Sequence, residues 1–237
     1  MRNVATDIYG RVDYQLAEQL NALSFDQLKQ EFVKTSLAIV PKFFDVRLVN
    51  DLRRICYETI QATVHNRQLV FNESEPLSQS YRSFGYNAIT DNAPIIEHFH
   101  LSGVFRQLVA NITGMIPESP KNQSEQFYIV QQCGAGTSDD NWYRDDCSLS
   151  LTLIIDDALA DDGGLVELVH CSSNIDGVTD DPAVLVADNE VIRFKPVSGS
   201  LIVKNGDTNL HRISPLQMDS SVRTALVLAY QSSAQTQ

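Results

Sequence analysis

Three short stretches in the second half of the chain carry side chains that can do chemistry. The first is "NWYRDDCSLSLTL", in which Asp145 stands just before an apolar run. The second is "GSLIVKNGDTNLHRISPL", with His211 after a turn, and the third is "VRTALVLAY", near the start of which Arg223 stands. Carboxylates and imidazoles bind metal ions, and the guanidinium fork binds carboxylates. Each residue also has an ordinary alternative, as a solvated turn aspartate, a surface turn histidine or a strand-end cation.

The apolar pattern predicts that β-strands position all three residues. From residue 125 onward the period is two, and clusters rich in glycine, aspartate or proline separate the apolar runs. The predicted strands are 125–133, 148–156, 164–170, 190–196, 199–205 and 223–231.

The first half is predicted to be mainly helical. A short strand is expected at 36–44 and a polar loop at 72–94. Helical spacing of apolar residues occurs over 13–36, 46–67 and 94–114. Helices followed by antiparallel strands favour a mainly β or α+β fold, a helix-buttressed sandwich or barrel. We expect a single domain over 1–237, with mainly helical support over 1–120, a jelly-roll core over 121–232 and a polar tail at 233–237.

The composition excludes several classes of partner. A net charge of −12, from 18 Lys+Arg against 30 Asp+Glu, argues against nucleic acid and anionic membrane surfaces. The first residues lack the apolar core of a secretory signal, and no run reaches the ~18 apolar residues of a membrane helix. The four cysteines show no C-x-x-C spacing, which is typical of reduced thiols. We therefore expect a cytoplasmic protein that acts on a small molecule.

The three stretches, taken together, resemble the iron(II)/2-oxoglutarate-dependent oxygenases, specifically the phytanoyl-CoA-hydroxylase-like and prolyl-hydroxylase-like members. In that superfamily a double-stranded β-helix, a cupin-like jelly roll, carries a His-x-Asp/Glu pair, a distant histidine and an arginine beyond it. "LAIVPKFFDVRLVNDLRR" also looks like the strand-then-helix start of these enzymes, and "GG" at 163–164 followed by "LVELV" matches the turn and strand between the ligands.

The resemblance implies a role for each residue. Asp145 and His211 match the metal ligands, and Arg223 matches the arginine that binds the far carboxylate of 2-oxoglutarate. Two histidines and a carboxylate fill one side of iron(II) and leave three positions open. The implied activity is that of an oxidoreductase, a metal-binding dioxygenase that uses Fe(II) and 2-oxoglutarate to oxidise a C–H bond of a small polar, amino-acid-like metabolite.

Tyr143 departs from this pattern, because it stands where the first histidine of His-x-Asp is expected. Tyr143 could ligate iron as phenolate, after loss of a proton whose ordinary pKa is about 10. Alternatively, Asp145 and His211 could hold the metal with water or Asp146 completing the shell. Finally, the site could be empty. The alternatives to the oxygenase are thus a catalytically silent relative that binds a metabolite or a protein partner, and a metal-dependent oxidase that does not use 2-oxoglutarate.

Two arginines are candidates for substrate binding. Arg82, with Tyr81 and Tyr86 in "QSYRSFGYN", could bind a small carboxylated molecule from the 72–92 loop. Arg144, between Tyr143 and the following aspartate, could bind substrate or tune the phenol. His98 and His100 fall on different sides of a helix and are expected to be structural.

Overall fold

The architecture is a helical layer followed by a two-sheet β-structure, in a computed structural model that describes residues 4–65, 81–134, 142–158, 162–170 and 181–233. The helices are α1 (Val4–Ala22), α2 (Phe25–Thr35), α3 (Val46–His65), α4 (Tyr86–Asn92), α5 (Pro94–Leu101), α6 (Gly103–Thr113) and α7 (Pro182–Asp188). The strands are β1 (Leu37–Val40), β2 (Tyr81–Phe84), β3 (Ile116–Glu118), β4 (Phe127–Cys133), β5 (Leu149–Asp156), β6 (Val166–Val169), β7 (Val191–Phe194), β8 (Leu201–Asn205), β9 (Leu210–Ile213) and β10 (Val222–Ser233).

Two antiparallel sheets form the β-structure. Within the described residues the larger sheet runs β1-β8-β5-β10-β4-β2, with β3 paired to β10, and the smaller sheet runs β7-β6-β9. The crossing between sheets along the chain, from β5 to β6 and from β7 to β8, is the connection pattern of a jelly roll. The predicted double-stranded β-helix with N-terminal buttressing helices is confirmed.

The larger sheet is buried on both faces, and its side chains alternate between two cores. On one face, residues such as Leu151, Leu153 and Leu226 pack with the helices in the main core. On the other face, Ile154, Ile202 and Ala225 pack with residues of the smaller sheet. The helices therefore support one side of the sheet, and the other side is free to line a space between the sheets.

Arg53 joins the helical layer to the end of this sheet. Its Nε pairs with Asp156 at the end of β5, and its Nη2 donates to the carbonyl oxygen of Ile155 at 3.0 Å. The same guanidinium reaches Ser198, in the turn before β8, at 3.3 Å. One side chain of α3 thus fixes the helix against two strands of the larger sheet.

Several elements differ from the sequence prediction. The single helix expected over 94–114 is two helices, because Ser102 leaves the helical conformation (φ −57°, ψ 122°) and its hydroxyl accepts from the N–H of Phe105 to begin α6. The loop expected over 72–94 contains β2 and α4 in its described part, while 66–80 lies outside the described residues. Strand β9, which carries His211, was not predicted, since "NLHRIS" has too few apolar residues to show the period of two.

The described helices include none long and apolar enough to cross a membrane. The single domain over 1–237 stays a prediction.

Candidate functional site

A cavity of about 50 Å³ lies between the two sheets. Its apolar walls come from Val130, Val166, Ile202, Ile213, Ala225 and Val227. Its polar lining is Tyr128, Tyr143, Asp145, Ser150, Thr152, Lys204, His211 and Arg223. Small-molecule sites commonly combine apolar walls with convergent polar groups, and this cavity has both.

Asp145 and His211 are brought together here by the chain before β5 and by β9. The N–H of Asp145 donates to the carbonyl oxygen of Gly206 at 3.0 Å, which ties it to the turn after β8. This turn requires glycine, because a Cβ on Gly206 would lie 2.3 Å from the carbonyl oxygen of Cys147. Asp145 Oδ1 then lies 3.5 Å from His211 Nε2.

A third side chain, Lys204 of β8, joins these two. Its ammonium Nζ pairs directly with Asp145 Oδ2 and lies 2.9 Å from Nε2 of His211. Lys204 is buried, with only 6% of its side chain exposed against 12% for Asp145. The cation between the predicted ligands is therefore a lysine from the chain itself.

Burial and the close charges shift the pKa of all three groups. Burial opposes ionisation of Asp145, but the Lys204 ammonium and His211 more than offset it and hold the pKa of this carboxyl well below its usual range. Burial lowers the pKa of Lys204, and Asp145 opposes that shift. Burial, and then the Lys204 charge, lower the pKa of His211. Asp145 and Lys204 form an ion pair that contacts the His211 ring.

Tyr143 lies at the rim of the cavity, directly opposite His211. The N–H of Tyr143 donates to the carbonyl oxygen of His211 at 3.1 Å, and the N–H of His211 donates back at 3.0 Å. The two rings pack with their centroids 4.3 Å apart, and 43% of Tyr143 is exposed. Because side chains alternate along an extended chain, Tyr143 and Asp145 share a side and Arg144 takes the other.

Arg223 enters the same cavity from β10, where it is 3% exposed. It stands opposite Gln132 in the register with β4. Ser150 and Thr152 of β5 line the cavity as well. Among the described residues, the charged side chains of the lining are Lys204, Arg223 and Asp145.

Outside the cavity, a charged network crosses the smaller sheet. The buried Glu167 of β6 accepts from Nε of Arg193 on β7 at 2.6 Å and from Nε of Arg212 on β9 at 2.5 Å. The Arg212 guanidinium lies 4.9 Å from the centre of the Trp142 ring. This network ties all three strands on the face away from the cavity, next to His211.

The side chains do not fit a bound iron ion in this arrangement. Ligand atoms lie about 2.0–2.2 Å from such an ion, so iron held by Asp145 and His211 would be pressed against the Lys204 ammonium. Two cations at that separation repel strongly in a buried site. Moreover, the described residues contain no group of three or more His, Cys, Asp or Glu side chains able to hold a metal.

The structure separates the predicted residues into two groups. Tyr143, Asp145, His211 and Arg223 line one cavity, and their roles stay predictions. Arg82 is exposed on β2; neither it nor Arg144 is in the cavity lining that the described residues form. Asp146 is exposed, and Tyr81 has only its backbone described.

The two predicted structural histidines pack between elements. His98 Nε2 lies 2.9 Å from Asp13 of α1. His100 is fully buried, with Nε2 bonded to the carbonyl oxygen of Ala229 at 3.0 Å and its ring stacked on Tyr230 at 4.4 Å. Both contacts hold α5 against its neighbours.

Sequence reasoning missed Lys204. The signal was present in "GSLIVKN", an otherwise apolar strand. Lys204 lies two residues after Ile202, so both side chains are expected on the same face of the strand, and it precedes His211 by seven residues. An inward-facing lysine in a buried strand needs a counter-charge. Asp145 is that counter-charge.

Solved structures similar to this one include 2-oxoglutarate-dependent enzymes. The carbocyclase SnoK from nogalamycin biosynthesis matches with a TM-score of 0.66 at 13% identity, over 89% of this chain and 85% of that chain. A 2OG-Fe(II) oxygenase family oxidoreductase from Burkholderia pseudomallei matches with a TM-score of 0.57 at 13% identity, over 89% of this chain and 91% of that chain. HygX from Streptomyces hygroscopicus, solved with nickel and 2-oxoglutarate bound, matches with a TM-score of 0.54 at 12% identity, over 89% of this chain and 87% of that chain.

These likenesses define the class of fold, that of the iron(II)/2-oxoglutarate oxygenases, and at such identities they show the fold alone. The family is defined by sequence: residues 20–237 match the family model HalD, Halogenase D. The chain belongs to the Halogenase D family. No curated protein matches it.

Proposed function

We propose that the cavity binds a small carboxylate-bearing metabolite without a metal, as a relative of the oxygenases that does not carry out iron chemistry. The observation that carries this proposal is that two cationic side chains, Lys204 and Arg223, line the cavity between the sheets. Cationic side chains in a buried cavity favour an anionic ligand, because an opposite charge offsets the cost of removing the ligand's charge from water.

Arg223 is the group best suited to the ligand's carboxylate. A guanidinium presents a planar fork that matches the two oxygens of a carboxylate, and burial strengthens this pairing. The hydroxyls of Ser150 and Thr152 supply further donors on β5. Arg223 is held on the central strand β10, where it pairs with Gln132 of β4.

The size of the cavity limits the ligand. At about 50 Å³ it holds a few water molecules, since one water needs roughly 10–15 Å³ of such space. An acid of two or three carbons fits without rearrangement. A five-carbon acid such as 2-oxoglutarate requires side chains at the rim to move, and Tyr143 is the exposed one there.

Calorimetric titration in the presence of a chelator tests this function. The panel is acetate, glyoxylate, pyruvate, succinate and 2-oxoglutarate. We expect binding of at least one short acid and a loss of about 10–100-fold in affinity in Arg223→Gln, because a charge-assisted hydrogen bond contributes about 1.5–3 kcal/mol. Arg54→Gln is the matched control, since Arg54 pairs with Glu58 on the exposed side of α3. Absence of binding, or equal binding by Arg223→Gln, contradicts the proposal.

The second candidate is the iron(II)- and 2-oxoglutarate-dependent oxygenase, which oxidises a C–H bond of a small polar metabolite. The observation in its favour is that Asp145, His211 and Arg223 line one cavity in a member of the Halogenase D family. This function requires the Lys204 ammonium to leave its place. Anaerobic titration with iron(II), with and without 2-oxoglutarate, distinguishes the two: a weak visible charge-transfer band supports the oxygenase, and no metal uptake eliminates it.

A further inference from the structure

We propose that the Lys204 ammonium is the built-in replacement for the metal ion of this fold, and that Lys204 and Tyr143 together close the site to divalent cations. This inference rests on the metal-free part of the proposed function. Metal uptake and acid binding are measured separately, so the failure of one is distinguishable from the failure of the other.

The position of the ammonium supports the replacement. Lys204 Nζ contacts Asp145 Oδ2 and lies 2.9 Å from His211 Nε2, so it touches one atom from each of the two side chains that would ligate a metal. Oδ1 of the same aspartate lies 3.5 Å from the same Nε2. One positive centre is thus enclosed by a carboxylate and an imidazole, as a divalent ion would be.

The imidazole is oriented to receive a cation at this point. Nδ1 of His211 lies 3.3 Å from the carbonyl oxygen of Asn209 and donates its proton there. This assignment leaves Nε2 as the acceptor that faces Lys204 and Asp145. Histidines that bind metals are held by the same kind of backbone contact, so His211 keeps the orientation while its partner has changed.

The backbone of Lys204 is paired with strands on both sides, which holds its ammonium at this position. Lys204 pairs with Ser150 of β5 on one side and with Leu37 of β1 on the other, and its side chain is 6% exposed. The side chain is therefore almost entirely shielded from bulk water. Displacing the ammonium would leave a buried charge without its counter-ion, which is strongly unfavourable.

Tyr143 is the second part of the replacement. The antiparallel bridge puts it directly opposite His211, the place from which a histidine ring would reach the same centre. Instead, the phenol ring packs on the His211 ring at 4.3 Å between centroids. With a histidine ligand absent and an ammonium added, the site has a positive centre but only two side chains of the ligand type that a metal centre uses.

Cobalt(II) binding, followed through d–d absorption under anaerobic conditions, tests the inference. The proteins are the unaltered chain, Tyr143→His, Lys204→Ala and the Tyr143→His/Lys204→Ala double variant. We expect no specific uptake by the unaltered chain or by Tyr143→His, and binding by the double variant at least about a hundredfold tighter than by either single variant, because the two changes act on one centre. Adding Asp145→Asn to the double variant should abolish the signal.

Tyr143→His keeps the test decisive even if removal of Lys204 prevents folding. Tyr143 is 43% exposed, so a histidine there is tolerated, and this variant retains the ammonium. Specific cobalt uptake by Tyr143→His or by the unaltered chain, lost on Asp145→Asn, overturns the inference. Lack of uptake by a folded double variant overturns it as well, since the lysine would then not be what closes the site.

Discussion

Replacing Lys204 by methionine is the sharpest perturbation that the site offers for stability. Methionine keeps much of the length of the side chain but removes its charge, which leaves the carboxylate of Asp145 buried without its cation. That carboxylate has 12% of its side chain exposed, and its folded-state pKa is low mainly because the Lys204 ammonium offsets the effect of burial. The change therefore exposes the cost of burying an unpaired charge.

The magnitude follows from this burial. Breaking a buried ion pair by removing one partner costs about 3–5 kcal/mol, whereas replacing both partners is often close to neutral. For a chain of this length each 1 kcal/mol shifts Tm by about 2–4 °C, so Lys204→Met should lower Tm by about 10 °C. The Lys204→Met/Asp145→Asn double variant should recover most of this loss.

Urea unfolding at pH 7, followed by circular dichroism and by tryptophan fluorescence, measures both variants. The chain has one tryptophan, Trp142, which lies next to the site and reports on it directly. The free energies of the two single variants and the double variant form a cycle whose coupling term isolates the pair. A loss below about 1 kcal/mol in Lys204→Met, or strict additivity in the cycle, would refute the buried ion pair.

Three further predictions concern other parts of the molecule. Burial lowers the pKa of His100 to about 4. As the pH drops from 6.5 to 4, His100 is protonated in the unfolded chain before it is protonated in the folded protein, so the free energy of unfolding falls. In urea unfolding, the wild type should lose about 3 kcal/mol more over this range than His100→Gln. Gly163→Ala should destabilise the protein by about 3 kcal/mol or more in the same assay, because φ at Gly163 is +70° and the new Cβ would lie 1.9 Å from a carbonyl oxygen. The control, Gly10→Ala, should have no such effect, because the space around Gly10 is open. Equal effects of the two changes would contradict this prediction. Burial raises the pKa of the Cys56 and Cys147 thiols to about 12, so iodoacetamide at pH 8 should label neither in the native protein, as mass spectrometry of digests would show, and rapid labelling of Cys147 would place the site open to solvent.

Much of the fold was predictable from the sequence because the larger sheet has strong apolar alternation. The predicted strands 148–156 and 199–205 correspond to β5 (Leu149–Asp156) and β8 (Leu201–Asn205), where both faces are buried. The short strand β9 was missed, because one of its faces carries His211 and the other carries Arg212. In so short a strand, two adjacent polar residues between Leu210 and Ile213 hide the apolar period by which strands are recognised.

The site was predictable only in part, for a physical reason. Asp145, His211 and Arg223 follow a spacing that a sequence displays, and the structure brings them to one cavity. Lys204 forms its ion pair across 59 residues of sequence, and that pair is set by the register of β8 rather than by local spacing. A lysine in a strand more often extends its ammonium to solvent along the apolar surface. The burial of Lys204 therefore follows from the structure and not from the sequence pattern.

The Glu167 network on the outside of the smaller sheet has a consequence for the interior. His211 and Arg212 are adjacent on β9 and point to opposite faces, and Arg212 is bonded to Glu167 on the neighbouring β6. A slip of β9 by one residue would exchange the two side chains, carrying a guanidinium into the cavity and the imidazole out to Trp142. The Glu167 carboxylate accepts a hydrogen bond from Arg212 only when Arg212 points to the outer face of the sheet. This bond therefore favours the observed register of β9. The identity of the residue that faces Asp145 and Lys204 is thus decided on the opposite side of the sheet, by an ion pair that is not part of the cavity lining.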